Sequence, residues 1–256
     1  MLQLRTELSA APRPAPAPFR LNPDLDVDVL ARTYREEGRV RIFGLLAEGA
    51  VELWEDFEAR PDWIHLISTE DGPLELHPEA KAALGDEAWA EIASKALEKN
   101  RDGHFQYRYL GVRVPADGEP VEDDDLIGTF ADLMRSDPML DLLEAVTGHR
   151  GIAFTDGQAT AYDVGDFLTG HDDAVHGKER LAAFVLGMTP RWRLEWGGLL
   201  LFHGPMDRTV SGMVPRFNTL DLFSVPQQHS VSEVTAAAPR RRYAVTGWLR
   251  GSGAAG

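Results

Sequence analysis

Apolar residues along this chain follow two regimes. Up to about residue 150 they recur mostly at helical spacing, and from Gly151 onward they come in short runs broken by glycine and proline. In the first regime, Asn22-Pro23 reads as the N-cap and first residue of a helix reaching Glu37, with Leu30 and Tyr34 inward and Gly38 as its stop. Residues 40–46 form a short apolar strand pattern. A second helix over 47–59 sets Val51, Leu53, Trp54 and Phe57 on one broad face toward the core. Residues 63–68 read as a strand. Over 86–100, Trp89, Ile92, Ala93, Ala96 and Leu97 fall at i, i+3, i+4, i+7 and i+8, an amphipathic helix whose extension back to Pro78 is opposed by Gly85. Residues 104–114 alternate with aromatics, as a strand does. Two further helices follow over 125–135 and 138–146, the second capped by Asp137 with Pro138 at N1 and ended by Gly148.

From residue 151 the pattern predicts seven or so short strands, within 151–164, 167–173, 180–189, 197–204, 217–225, 229–235 and 241–249. Short strands of non-helical spacing predict a sandwich or jelly roll. Neither half buries its apolar faces alone, so residues 21–256 read as one α+β domain with a β core at about 150–251. Residues 1–20 contain APRPAPAP, an alternation that favours an extended tail or tether.

Composition narrows the function. The 256 residues carry a net charge of −15, which repels phosphate backbones and anionic lipid, so nucleic acid and membrane surfaces are poor partners. A protein, a peptide or a small molecule is the expected substrate. There is no cysteine, which excludes thiolate metal sites and cysteine nucleophiles and fits a reducing, cytoplasmic setting. No apolar run approaches the ~18 residues of a membrane span. The N-terminus lacks the apolar stretch of a signal peptide.

The chemistry concentrates in YDVGDFLTGHDD, residues 162–173. Within a strand, His171 and Asp173 point to the same face, about 7 Å apart along the backbone. That arrangement suits two adjacent ligands of one divalent metal. His229, in QQHSVSEV, is the candidate third ligand. Two histidines and a carboxylate on one face of an octahedron make the facial triad of non-haem Fe(II) oxygenases. Asp172 should face away by alternation. His176 and His203 are competing or neighbouring groups, whereas His65, His77, His104 and His149 read as ordinary loop or strand-edge residues.

Four blocks occur in order: YDVGDFLTGHDD, EWGGLLLFHG, RFNTLDLFSVPQQHSVSEV and RRRYAVTGWLRG. In this the chain resembles the 2-oxoglutarate- and Fe(II)-dependent dioxygenases, specifically their prolyl 4-hydroxylase-like branch, over residues 151–251 and more weakly before. The resemblance implies a double-stranded β-helix braced by the N-terminal helices. It implies Fe(II) held by His171, Asp173 and His229, with 2-oxoglutarate and O2 as co-substrates and ascorbate as an optional reductant. It also implies that Arg242 binds the far carboxylate of 2-oxoglutarate, with Arg240 as fallback on the same face and Arg241 outward. Tyr162 would donate a hydrogen bond to the co-substrate. A basic turn with all three arginines solvated is the competing reading. The family's reaction implies hydroxylation of a C–H bond, releasing succinate and CO2, and the carboxylate of Asp173 favours hydroxylation over halogenation.

The expected substrate is a prolyl residue in a protein or peptide, with a free amino acid or small natural product as the alternative. Residues 188–197 and 206–217 are expected to flank the mouth, offering Arg191, Arg193, Trp196 and Arg208. A non-oxidative cupin-like metalloenzyme and a non-catalytic binding protein remain open. The first would need no internal arginine, and the second would bind metal weakly.

Overall fold

The structure, a computed structural model, describes residues 17–115, 119, 125–177 and 179–251. In chain order the elements are β1 (Arg20–Leu21), α1 (Val27–Glu37), β2 (Arg39–Phe43), β3 (Leu46–Glu48), α2 (Ala50–Ala59), β4 (Ile64–Thr69), β5 (Gly72–Leu76), α3 (Pro78–Leu84), α4 (Asp86–Arg101) and β6 (Tyr107–Arg113). Then come α5 (Leu126–Arg135), α6 (Asp137–Thr147), β7 (Ile152–Tyr162), β8 (Phe167–His171), β9 (Arg180–Gly187), β10 (Leu200–His203), β11 (Val210–Met213), β12 (Thr219–Ser224), β13 (His229–Val231) and β14 (Arg242–Gly251).

One antiparallel sheet organises the molecule, in the order β11-β10-β13-β8-β6-β7-β14-β9-β12-β2, with β4 and β5 attached through β6. It curls so that its two ends face each other, as expected of a jelly roll. Strand alternation then sorts the side chains. Ala159, Ala161, Ala182, Phe184, Leu186, Leu220, Leu222, Tyr243 and Val245 point outward and pack under Leu53, Phe57, Ile127, Phe130, Leu133 and Met134 of α2 and α5 in the main core. The intervening residues point inward and line a cavity. The helices thus brace the outer face and leave the concave one for chemistry.

Several element boundaries differ from the sequence expectation. The first helix starts at Val27, because Asp26 caps it: its Oδ1 accepts from Val29 N at 3.1 Å. Asn22 instead ties the turn, accepting from Asp24 N and donating to Gly44 O. The strand expected over 40–46 divides at Gly44 and Leu45, whose N–H groups both donate to Asn218 O. Val51 is 49% exposed, so the second helix buries a narrower face, carried by Leu53 and Phe57. Gly85 separates two helices, α3 and α4, so the helix expected over 86–100 does not run back to Pro78 unbroken. Asp137 is the first residue of α6, and the N-cap position is Ser136. β5 and β11 went unforeseen, the latter lying inside a stretch expected to be loop.

Of the segment expected to be a tail, residues 1–16 lie outside the described residues. Its end belongs to the fold: Phe19 is buried against Phe130, and Arg20 pairs with Glu48. Residues 115–125, PADGEPVEDDD, read in sequence as an acidic, turn-rich loop, and most of them also lie outside the described residues.

Candidate active site

The sheet brings the two candidate histidines together. His171 ends β8, His229 opens β13, and the two are register partners on adjacent strands, with ring centroids 4.1 Å apart. Each Nδ1 lies against a main-chain carbonyl, Thr169 O at 3.0 Å and Gln227 O at 2.8 Å. A carbonyl can only accept, so each Nδ1 carries the hydrogen and each Nε2 presents a lone pair. Both Nε2 atoms converge on Asp173, at 3.4 Å from Oδ1 for His171 and 3.4 Å from Oδ2 for His229. One donor atom from each residue falls within 4.8 Å of the others. This donor set, with its imidazole tautomers already fixed, fits a divalent metal.

The carboxylate reaches this position differently from the sequence expectation. Asp173 is not in the strand beside His171. It lies beyond the end of β8 with φ 62°, a left-handed conformation. A turn, not strand alternation, aims it inward. Asp172 turns aside and accepts from Ala174 N.

Electrostatics prepare the trio. Burial, reinforced by the nearby His171, pushes the His229 imidazole down to about 4, so it is neutral near pH 7. For His171, burial lowers the value, but the hydrogen bond and charge of Asp173 outweigh it and the imidazole is raised. Burial would raise Asp173, yet the hydrogen bond to His171 and the two imidazole charges hold it below the usual carboxylate range.

A second pole lies deeper in the same cavity, whose volume is about 260 Å³. Arg242 opens β14 opposite Tyr162, the last residue of β7. Its side chain is buried, with its guanidinium carbon 4.9 Å from the Tyr162 ring centroid. Among the described residues no carboxylate is within ion-pair distance of this guanidinium, and its Nε has no hydrogen-bond partner. Tyr162 stacks on Tyr109 at 5.3 Å. Burial raises the Tyr162 hydroxyl far above its ordinary value, so it stays protonated and able to donate. A buried, uncompensated cation beside a protonated phenol is a receptor for an anion.

The three arginines of RRRY separate clearly. Arg242 lines the cavity; Arg241 pairs with Asp163 Oδ2 at 3.1 Å; Arg240 is exposed in the turn before β14 and is off the cavity. The alternation argument for Arg240 fails because the strand starts only at Arg242. Arg191, Arg193 and Arg208 are exposed and Trp196 packs on Trp192; none of the four lines the cavity. His176 is exposed, and His203 contacts Ser230 Oγ at 2.8 Å and Asp207.

The sequence reading missed one wall. Phe105, Tyr107 and Tyr109 form a ladder with centroid spacings of 5.8 and 5.5 Å, running from the half-exposed Phe105 beside His171 to Tyr162. Their period-two spacing in residues 104–114 was the available signal. Arg180 and Trp248 were also missed. Arg180 Nη1 donates to the Asp173 main-chain carbonyl at 3.0 Å, and Trp248 lines the cavity.

Residues 157–250, which hold all of these groups except the β6 wall, match the sequence model of the 2OG-Fe(II) oxygenase superfamily. Over these strands the chain is similar to the 2OG-Fe(II) oxygenase superfamily. The match supports a dioxygenase. A search of curated protein sequences finds no match. Solved structures share the fold. An oxidoreductase of the 2OG-Fe(II) oxygenase family from Burkholderia pseudomallei aligns with TM-score 0.58 and 15% identity, covering 91% of this chain and 93% of that one. A Pseudomonas putida prolyl-4-hydroxylase aligns with TM-score 0.53 and 14% identity, covering 88% and 98%. The non-heme alpha-ketoglutarate-dependent epimerase SnoN of nogalamycin biosynthesis aligns with TM-score 0.55 and 12% identity, covering 88% and 82%. Among the described residues, no helix is long and apolar enough to cross a membrane.

Proposed function

We propose that this oxygenase hydroxylates a C–H bond of a prolyl residue in a protein or peptide, using Fe(II), 2-oxoglutarate and O2. In this reading His171, Asp173 and His229 hold the iron, Arg242 takes the far carboxylate of 2-oxoglutarate, and Tyr162 donates a hydrogen bond to the same co-substrate. The observation that carries it is the cavity's two poles: a 2-His-1-carboxylate donor set at one, an unpaired buried guanidinium at the other. A non-oxidative cupin-like enzyme needs the first pole only, so Arg242 weighs against that alternative.

Bound at this site, iron with 2-oxoglutarate and O2 supplies an oxidant able to convert an unactivated C–H bond to an alcohol, with succinate and CO2 as co-products. The chain's own residues do the rest. His171 and His229 present lone pairs because Thr169 and Gln227 hold their other nitrogens. Arg242 and Tyr162 orient the co-substrate. Phe105, Tyr107 and Trp248 wall the rim and keep water from the reacting centre. An uncharged apolar group such as a prolyl ring suits that rim, and the likeness in fold to a prolyl-4-hydroxylase agrees with it. A small natural product is the runner-up, since the fold of the epimerase SnoN serves such chemistry. Ascorbate would act only as an added reductant. The cysteine-free composition supports action in the cytoplasm.

The test is an anaerobic titration of the metal-free protein with Fe(II) and then 2-oxoglutarate, following the visible metal-to-ligand charge-transfer band. The wild type should develop the band and His171→Ala should not. A wild type that binds metal but shows no band refutes the reading. Peptide and small-molecule panels, scored by 2-oxoglutarate consumed with a +16 Da product, separate the two substrate classes.

A further inference from the structure

We propose that Arg180 is a positioning residue for Asp173: it holds that residue's backbone in the left-handed region and so aims the carboxylate between the two imidazoles. This deepens the metal-site reading above and rests on it. The histidines need no such device, because strand pairing between β8 and β13 fixes them. Asp173 has no strand to hold it, and its φ of 62° is sparsely populated by residues other than glycine. Aspartate tolerates this conformation better than most residues, yet it remains a minority state that contacts from the surroundings select.

Arg180 supplies that constraint from the first position of β9. Its Nη1 donates to the main-chain carbonyl of Asp173 at 3.0 Å and lies 3.9 Å from Oδ1. Both side chains are 8% exposed, so little water competes for either contact. The guanidinium is fixed in turn: its carbon stands 3.5 Å over the Trp248 ring, and Trp248 projects from β14, the hydrogen-bonded neighbour of β9. Rigidity therefore passes from the sheet through Trp248 and Arg180 to Asp173. A planar guanidinium can stack on an indole and donate within its own plane at once; a lysine ammonium has no such fork.

The full chain should be titrated with Fe(II) anaerobically and with Co(II) as a spectroscopic probe, as wild type, Arg180→Met and Arg180→Lys. Melting of the metal-free proteins is recorded alongside. Arg180→Met should weaken both ions about 10–100-fold, the loss typical of removing a group that orients a metal ligand, and should alter the Co(II) d–d bands. Arg180→Lys should recover only part of the affinity. Wild-type affinity with an unchanged Co(II) spectrum in either variant overturns the proposal. If Arg180→Met does not fold, Arg180→Lys decides: weaker binding with an altered spectrum at an unchanged melting temperature supports a positioning role. A wild type that binds neither ion sinks the metal-site reading itself, a result distinct from equal binding by all three proteins.

Discussion

Arg242→Met isolates the co-substrate pole. Arg242 is 3% exposed, so the desolvation cost of its guanidinium is already borne in the free protein. Burial lowers its proton affinity, and only Tyr162 and the more distant Asp221 offset this. An incoming carboxylate would find a dry, ready cation. Truncating one partner of such a buried charged contact costs about 2–5 kcal/mol, or roughly 30-fold to several thousand-fold in Kd. The affinity of the Fe(II)-loaded protein for 2-oxoglutarate should fall by that factor, measured anaerobically by calorimetry and by the charge-transfer band. The metal-free protein should behave oppositely. Replacing a buried unpaired charge with an apolar side chain of similar length is neutral or stabilising, so the melting temperature should hold or rise. Two results would refute the reasoning: a Kd within threefold of wild type, or a metal-free protein that melts several degrees lower. The second would mark Arg242 as a structural partner, not a receptor.

Other outcomes follow from the same geometry. Metal affinity should rise with pH and level off above the raised value of His171, because below it a proton occupies a nitrogen that the metal needs; a pH-independent affinity between pH 5 and 8 would contradict this. Asp221→Asn strips the bidentate partner from Arg41, whose contacts to the two carboxylate oxygens are 2.6 and 2.7 Å. Leaving that cation buried should cost about 3–5 kcal/mol in a denaturant titration, and replacing both partners with apolar residues should cost less. Gly197→Ala should cost more than about 3 kcal/mol by the same measurement. The residue has φ 68°, and a Cβ there would lie 1.9 Å from Glu233 O, a backbone atom that cannot rotate away. Phe105→Ala should lower kcat/KM for the substrate while leaving 2-oxoglutarate affinity unchanged, because Phe105 stands at the rim beside His171, far along the aromatic ladder from Arg242.

Residue types and short-range pattern determined a good deal. The change from helical to strand spacing near Gly151 announced helices laid on a jelly roll, because period 3.6 and period 2 are written directly in where apolar residues fall. The candidate donors His171, Asp173 and His229, with Arg242 and Tyr162, were readable from the order of four sequence blocks. The tertiary structure decided what depends on contacts between segments far apart in sequence. It showed Arg242, not Arg240, in the cavity, because strand pairing with Tyr162 sets where β14 begins. It set Phe105, Tyr107 and Tyr109 as one wall by pairing β6 between β7 and β8. Asp173 was named for the wrong geometrical reason: its backbone leaves the strand, and a side chain seven residues on holds it there. Alternation is a property of one strand and can be read locally, whereas the aim of a carboxylate beyond a strand's end is set by whatever packs against it. That information resides in the fold.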